Sequence, residues 1–157
     1  MSGRHARILF DECVGRPLVA RLVEFVQPAS PEGLEIRHIL DLAPAGTRDE
    51  TWLPTLAGAG WTVISADGGR TPNKNRGQKL PRLCVEYGVT LVILSPKVHG
   101  RKSFDKVRTI VSVWDRLLEI ATDEACLGRR YMLEPSDLEN LGIGRLSERP
   151  WRDAPPA

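Results

Sequence analysis

Short apolar runs and amphipathic stretches alternate along most of this chain. The runs have the composition of strands, and the stretches between them carry apolar residues at helical spacing. Val89–Leu94, continuous in β-branched residues and leucine, is typical of a strand at a sheet centre. The alternation predicts an α/β fold in three layers, α/β/α, around a mostly parallel sheet of about five strands. The predicted strands are Ile8–Phe10, Leu34–Leu40, Trp61–Ala66, Val89–Leu94 and an edge strand at Arg130–Leu133.

Capping signals place the helices between these strands. Pro17 suits the first turn of one helix, and Thr47 with Glu50 matches a capping box at the start of a second. Leu80–Tyr87 has the pattern of a short third helix. Ser103 is predicted to cap a fourth, long helix with a clean apolar stripe.

The length and composition fit one globular domain, since the chain has 157 residues, 41% of them hydrophobic and 27% charged. We expect residues 1–141 to form that domain and the Arg-, Gly- and Pro-rich residues 142–157 to be a flexible tail. A formal net charge of +2 neither demands nor excludes a polyanionic partner. No apolar run reaches membrane-spanning length and no signal-peptide core is present, so we expect a cytoplasmic protein without membrane contact.

The cysteines and histidines have no metal-ligand spacing, which disfavours a zinc site. Cys13, Cys84 and Cys126 are expected to be reduced, structural thiols. Cys13 stands beside two acids, but no histidine near it in sequence activates it as a nucleophile.

Acidic residues recur where predicted strands end or a helix begins. Asp11 and Asp67 follow the first and third strands, and Asp49 and Glu50 stand at the start of the second helix. In an open parallel sheet these positions meet at one edge, outside the carboxyl ends of the strands, where ligands bind. Converging carboxylates repel one another unless a cation neutralises them, and oxygen-only ligands suit Mg²⁺ or Mn²⁺. The pattern predicts such a site at this edge.

Two basic loops follow the third and fourth strands and should flank the same edge. Arg70, Lys74 and Arg76 belong to the first loop and Lys102 to the second, where they would hold a phosphate backbone. Each feature also has a purely structural explanation. Acids in a first turn complement the helix dipole, an acid before two glycines suits a turn, and basic loops are commonly solvated surface. Their coincidence at one predicted edge favours the functional interpretation.

Three acidic blocks carry a resemblance to a known family. Ile8–Glu12, Asp49–Leu53 and Val63–Asp67 resemble, in order and spacing, the acidic blocks of PIN-like domains. They are most similar to the small bacterial PIN-like proteins related to VapC-type toxins. The serine and aspartate that end the third block are similar to the family's Thr/Ser-x-Asp at the end of a strand. The resemblance covers roughly residues 7–133.

The resemblance implies a metal-dependent endoribonuclease, often a homodimer and often paired with an antitoxin protein that blocks the active edge. Asp11, Asp49 and Asp67 would bind the metal, with Glu50 as the alternative third acid in the catalytic set. Ser65 would support Asp67 or a phosphate by hydrogen bonding. A water activated there would attack an RNA phosphodiester and leave a 5′-phosphate.

One departure from the family pattern leaves alternatives open. Many PIN domains carry a fourth acid shortly after the third, where this chain has Gly69, and the nearest later acids are Glu86 and Asp105. The first alternative is a non-catalytic PIN-like subunit that binds RNA or protein. The second is a receiver-type domain in which Asp67 accepts a phosphoryl group and Lys97 follows the fourth strand.

Overall fold

A twisted sheet of six strands, all parallel except the last, lies at the centre of the protein. The computed structural model describes residues 4–66, 80–136 and 142–149. The strands are β1 (Arg7–Phe10), β2 (Glu35–His38), β3 (Trp61–Ser65), β4 (Thr90–Leu94), β5 (Arg130–Pro135) and β6 (Gly144–Glu148). They lie in the order β2-β1-β3-β4-β5-β6, so β1 and β3 are neighbours although one strand and two helices separate them along the chain. The predicted mostly parallel α/β fold is confirmed.

Helices cover both faces of this sheet. They are α1 (Arg16–Val26), α2 (Asp49–Trp52), α3 (Leu80–Glu86), α4 (Pro96–His99), α5 (Ser103–Ser112) and α6 (Trp114–Thr122). A 3₁₀ turn, Leu53–Leu56, continues α2. Pro17 occupies the first turn of α1, as predicted, where its missing N–H costs no hydrogen bond.

Alternation along the strands divides the apolar side chains between two cores. In β1, Ile8 and Phe10 belong to one core and Leu9 to the other, because successive strand residues point to opposite faces. The first core packs the sheet against α1, α5 and α6, and the second packs it against α2 and α3. We call the second face the Leu9 face. The two cores give the three layers that the sequence predicts.

The capping box predicted for Thr47 and Glu50 is wrong. Arg48 is the N-cap of α2 and makes no side-chain cap. Thr47 instead closes a turn, because its backbone N–H and its Oγ1 both donate to the Pro44 carbonyl, at 3.2 Å and 2.5 Å. The helix therefore begins one position later than the box requires, with the two acids in its first turn.

The single long helix predicted from Ser103 is two helices that meet at Val113. Ser112 Oγ donates to the Thr109 carbonyl at 2.7 Å, and the Val113 N–H bonds to the Ile110 carbonyl instead. A serine hydroxyl that takes a helix carbonyl competes with the backbone ladder. The φ of −110° and ψ of 12° at Val113 lie outside the helical region, so α5 and α6 are separate helices.

The sheet edge also differs from the prediction, because β5 is not an edge strand. Gly144–Glu148, placed in a flexible tail from the sequence, forms β6 and pairs antiparallel with β5. Arg145 and Arg149 both bind Glu134 on β5, and such cross-strand pairs stabilise an edge. Residues 150–157, the rest of the predicted tail, lie outside the described residues. No helix in the described ranges is long and apolar enough to cross a membrane.

Candidate functional site

Asp11 lies where β1 leaves the sheet, and its side chain is fixed by two hydrogen bonds. Its backbone N–H donates to the Ile64 carbonyl at 3.0 Å, which continues the pairing of β1 with β3. Asp11 Oδ1 accepts the N–H of Glu12 at 2.8 Å, and Oδ2 accepts the hydroxyl of Ser65 at 2.8 Å. Oδ2 also lies 3.8 Å from Cys13 Sγ, whereas Oδ1 keeps a further lone pair, so a half-buried Asp11 is oriented and can still bind a cation.

Ser65 joins the first and third acidic blocks. It is fully buried at the end of β3, and its hydroxyl reaches Asp11 across 54 residues of sequence. The acid that it supports among the described residues is therefore Asp11. Asp67, which the family resemblance implies as its partner with a phosphate as the alternative, lies outside them.

Asp49 is the first residue of α2 and is held by the core below it. Its Oδ1 accepts the indole N–H of Trp52 at 3.1 Å, and Trp52 is a buried member of the core on the Leu9 face. An i, i+3 contact of this kind turns the carboxylate back over the first helical turn. Asp49 thus lies on the layer that covers the Leu9 face, and Glu50 follows it as a half-buried neighbour.

Asp49 and Asp11 both contribute to the raised pKa of one buried thiol, that of Cys84. Cys84 lies in the core on the Leu9 face, and its pKa is raised chiefly by burial, then by the negative charges of Asp49 and Asp11. Two carboxylates 38 positions apart in sequence therefore act on one thiol. The fold brings them to the same side of the sheet.

This raised pKa predicts a loss of stability in alkali. Unfolded Cys84 ionises near its ordinary pKa of 9.0, whereas the folded thiol keeps its proton, so the free energy of unfolding should fall as pH rises above 9.0. Tyr131, whose pKa is raised mainly by burial, should add to the fall above its ordinary value of 10.0. Urea unfolding at pH values on both sides of 9.0 measures this, and Cys84→Ala should flatten the first part of the decline. An identical pH profile in that variant would contradict the assignment.

The remaining predicted site residues divide between the described and undescribed parts of the chain. Asp67 and the basic residues Arg70, Lys74 and Arg76 lie outside the described residues. Lys102 is exposed at the N-cap of α5. The described ranges contain no group of three or more His, Cys, Asp or Glu side chains that could hold a metal ion. Asp11 and Asp49 are thus two members of a set whose predicted third member is Asp67.

The two later acids differ from Asp11 in their place in the fold. Asp105 lies in the first turn of α5, which packs on the opposite face of the sheet from Asp11, and it pairs with Arg108 at 3.8 Å. Glu86 is the last residue of α3, close before the start of β4 and hence at the amino end of the sheet. Neither residue therefore shares both the face and the end of the sheet with Asp11.

His38 is a buried residue next to the site that sequence reasoning assigned only to a strand. It is 3% exposed, its Nε2 lies 2.7 Å from the Val14 carbonyl, and its Nδ1 accepts the Leu40 N–H at 3.2 Å. A carbonyl only accepts, so this network assigns a neutral ring with its proton on Nε2. The ring ties the turn after Asp11 to the end of β2. In the sequence, the only indication that His38 is buried is its position on the apolar side of an alternating strand.

We expect His38→Phe to cost about 1–3 kcal/mol of stability, because a phenyl ring fills the space but leaves the Val14 carbonyl without its donor. Urea denaturation measures this cost. Arg16→Ala is the matched control, since Arg16 binds Asp41 in the same region at the surface. Loss of an exposed ion pair should cost less than about 1 kcal/mol. An equal loss of unfolding free energy in the two variants would show that the buried hydrogen bond of His38 stabilises the fold no more than an exposed ion pair does.

The fold and the site together define a class of protein, an α/β domain with one carboxylate at the carboxyl end of a parallel strand and another at the start of a helix that covers the same face of the sheet. A family model for the PIN like domain matches residues 6–93, more than half of the 157-residue chain. This chain therefore belongs to the PIN-like domain family, which has a nuclease-type fold. The match includes β1 to β3 and all three acidic blocks. No curated protein and no solved structure matches the chain.

Proposed function

We propose that this protein is a Mg²⁺- or Mn²⁺-dependent endoribonuclease that hydrolyses RNA phosphodiester bonds. The observation that supports the proposal is that Asp11, bound to Ser65 where β1 and β3 end, and Asp49, held by Trp52 of the core on the Leu9 face, come from separate elements on one side of the sheet. Within the described ranges no basic side chain forms an ion pair with Asp11.

Asp11, Asp49 and Asp67 would hold the metal. The donor set fits, because it consists of carboxylate oxygens, and the Asp11 and Asp49 carboxylates are oriented by neutral hydrogen-bond donors. A bound divalent cation lowers the pKa of water and stabilises the oxygens of a phosphoryl displacement. The chain's own contribution is orientation: Ser65 and the Glu12 N–H fix Asp11, and Trp52 fixes Asp49.

The test is cleavage of a mixed RNA pool by the purified protein with Mg²⁺, with Mn²⁺ or with a chelator. We expect cleavage that needs the metal and leaves 5′-phosphate ends. Undiminished cleavage with the chelator would overturn the metal dependence. RNA binding without cleavage under any divalent metal would favour the non-catalytic subunit instead.

The basic loops would position the RNA backbone, which predicts a change in the salt dependence of RNA binding. Removing one phosphate contact should lower the slope of log K against log salt by about 1. We expect this for Lys102→Ala and for alanine at Arg70, Lys74 or Arg76. Arg116→Ala is the control, because Arg116 is exposed on α6 and already pairs with Glu119. A slope that falls equally in the control would show only a general charge effect.

The receiver-type alternative has one feature of its own, since Lys97 lies in the first turn of α4, directly after β4. It requires stable phosphorylation of Asp67 by a small phosphodonor, which mass spectrometry detects. The ribonuclease proposal predicts none. Asp49 also has no role in a phosphoacceptor.

The finer assignments rest on the resemblance to VapC-type toxins. We propose that the protein acts in the cytoplasm as the toxin of a toxin–antitoxin pair, as a homodimer, with a cognate antitoxin as partner. Expression in a bacterial host should then arrest growth, and Asp11→Asn should relieve the arrest. Sedimentation of the purified protein tests the dimer.

A further inference from the structure

The backbone pairing between β1 and β3 ends shortly before position 67 in the sequence, where an acid of the site is predicted. Their parallel register pairs Phe10 with Ile64, and the last backbone bond between them runs from the Asp11 N–H to the Ile64 carbonyl. In a parallel ladder the next bond would run from the Ala66 N–H to the Asp11 carbonyl. That carbonyl is already used, because the chain turns after β1 and the Val14 N–H donates to it at 2.9 Å.

The sulfur of Cys13 takes the place of that carbonyl. The Ala66 N–H donates to Cys13 Sγ at 3.0 Å, so a side chain from the turn after β1 extends the pairing of the two strands by one bond. A thiol sulfur is an unusual choice, since it is a weak acceptor compared with a carbonyl. Its size and the length of its bond to Cβ let it reach across the gap left by the turning backbone.

Cys13 also contacts the side chains of the acid site. Its Sγ lies 3.4 Å from Ser65 Oγ and 3.8 Å from Asp11 Oδ2. One side chain thus touches Asp11, the serine that orients Asp11, and the backbone that leads directly into Asp67. Cys13 itself is exposed, so packing into a core does not explain its position.

We propose that Cys13 is a positioning residue that ties the turn after β1 to the end of β3 and thereby holds Asp11 and Ser65 in place. The proposal rests on the proposed function in that Asp11 binds the metal. Cys13 acts through the Ala66 backbone and through Ser65, and it takes no part in proton transfer or bond formation. Replacing a residue that orients a metal ligand, and does not itself bind the metal, typically lowers metal affinity by roughly 10- to 100-fold.

The test compares Cys13→Ala and Cys13→Ser with the wild-type chain. In Cys13→Ala we expect Mn²⁺ alone, titrated without RNA, to bind about tenfold more weakly. Amide hydrogen exchange at Ala66 should be faster in that variant, with or without metal. If the protein cleaves RNA, kcat should fall while KM stays nearly constant, because the basic loops that hold RNA are unchanged. Cys13→Ser keeps an acceptor of shorter reach and should recover part of each loss.

Glu12→Gln is the matched control, because residue 12 shares the turn but makes its side-chain contact with the Gly46 N–H, away from the site. It should bind Mn²⁺ and protect the Ala66 amide as the wild-type chain does. Unchanged Mn²⁺ affinity and unchanged Ala66 exchange in Cys13→Ala would overturn the role of Cys13 and leave the ribonuclease proposal intact. If the wild-type chain binds no Mn²⁺, the proposed function fails, and the role of Cys13 at a metal site fails with it.

Discussion

Replacing Asp11 with asparagine is expected to abolish RNA cleavage and to weaken Mn²⁺ binding strongly. The variant keeps the shape of the side chain, and its oxygen can still accept the Glu12 N–H while its amide N–H donates to the Ser65 hydroxyl, but it removes the charge that would bind the metal. We expect cleavage to fall by more than about 100-fold, since loss of a direct ligand should exceed the roughly 10- to 100-fold cost of losing an outer contact. Single-turnover cleavage with saturating Mn²⁺ measures the effect.

The neighbouring acid provides the control for this substitution. Glu12→Gln removes one negative charge from the same turn, but Glu12 is exposed and binds the Gly46 N–H at 2.9 Å. Its cleavage rate should stay within a few-fold of wild type, about what an exposed charge contributes. Metal-dependent cleavage that survives in Asp11→Asn would refute the mechanism. Equal losses in both variants would point to the net charge of the turn.

The second large effect is expected at the third acid, for which we propose Asp49 rather than Glu50. Asp49 is held by Trp52, a buried member of the core on the Leu9 face. Consecutive helical residues point about 100° apart, so the two carboxylates cannot serve the site equally. We expect Asp49→Asn to lower cleavage by about 100-fold and Glu50→Gln by less than about tenfold.

Metal titration of the same two variants separates their roles. Asparagine at position 49 still accepts the Trp52 indole N–H, so the fold of α2 should persist and a loss would reflect the missing charge. Trp52→Phe is a third variant that keeps the charge and removes the donor, and it should weaken Mn²⁺ binding less than Asp49→Asn does. A larger loss in Glu50→Gln than in Asp49→Asn would make Glu50 the third acid.

The position of Asp105 bears on how complete this site is. A fourth acid would have to come from an element that covers the Leu9 face or from a strand end beside Asp11. Helix α5 packs in the other layer, because its apolar residue Ile110 belongs to the core on the opposite face. If the protein cleaves RNA, three acids suffice for the reaction. If it binds metal and RNA without cleavage, the missing carboxylate is the first explanation to test.

The sequence by itself determined the local elements and the places where acids meet the sheet edge. A period of two along β1 and helical spacing along α1 are local properties of the chain, so they were predictable without any partner. The same holds for the aspartate that follows each of two buried strands. These features, in order along the chain, also carried the resemblance to the PIN-like family that the family match confirms.

Only the tertiary structure decided which of those residues meet. Ser65 donates to Asp11 because the register of β1 against β3 brings residues 54 positions apart together, and no local pattern specifies that register. The same packing puts Cys13 Sγ against the Ala66 N–H and brings Asp49 near Cys84. The helix predicted from one continuous apolar stripe ends at Ser112, where the serine hydroxyl donates to the Thr109 carbonyl. Which strands pair, and which donor takes a given hydrogen-bond acceptor, depend on the assembled fold. For that reason the geometry of the site could not be predicted from the sequence.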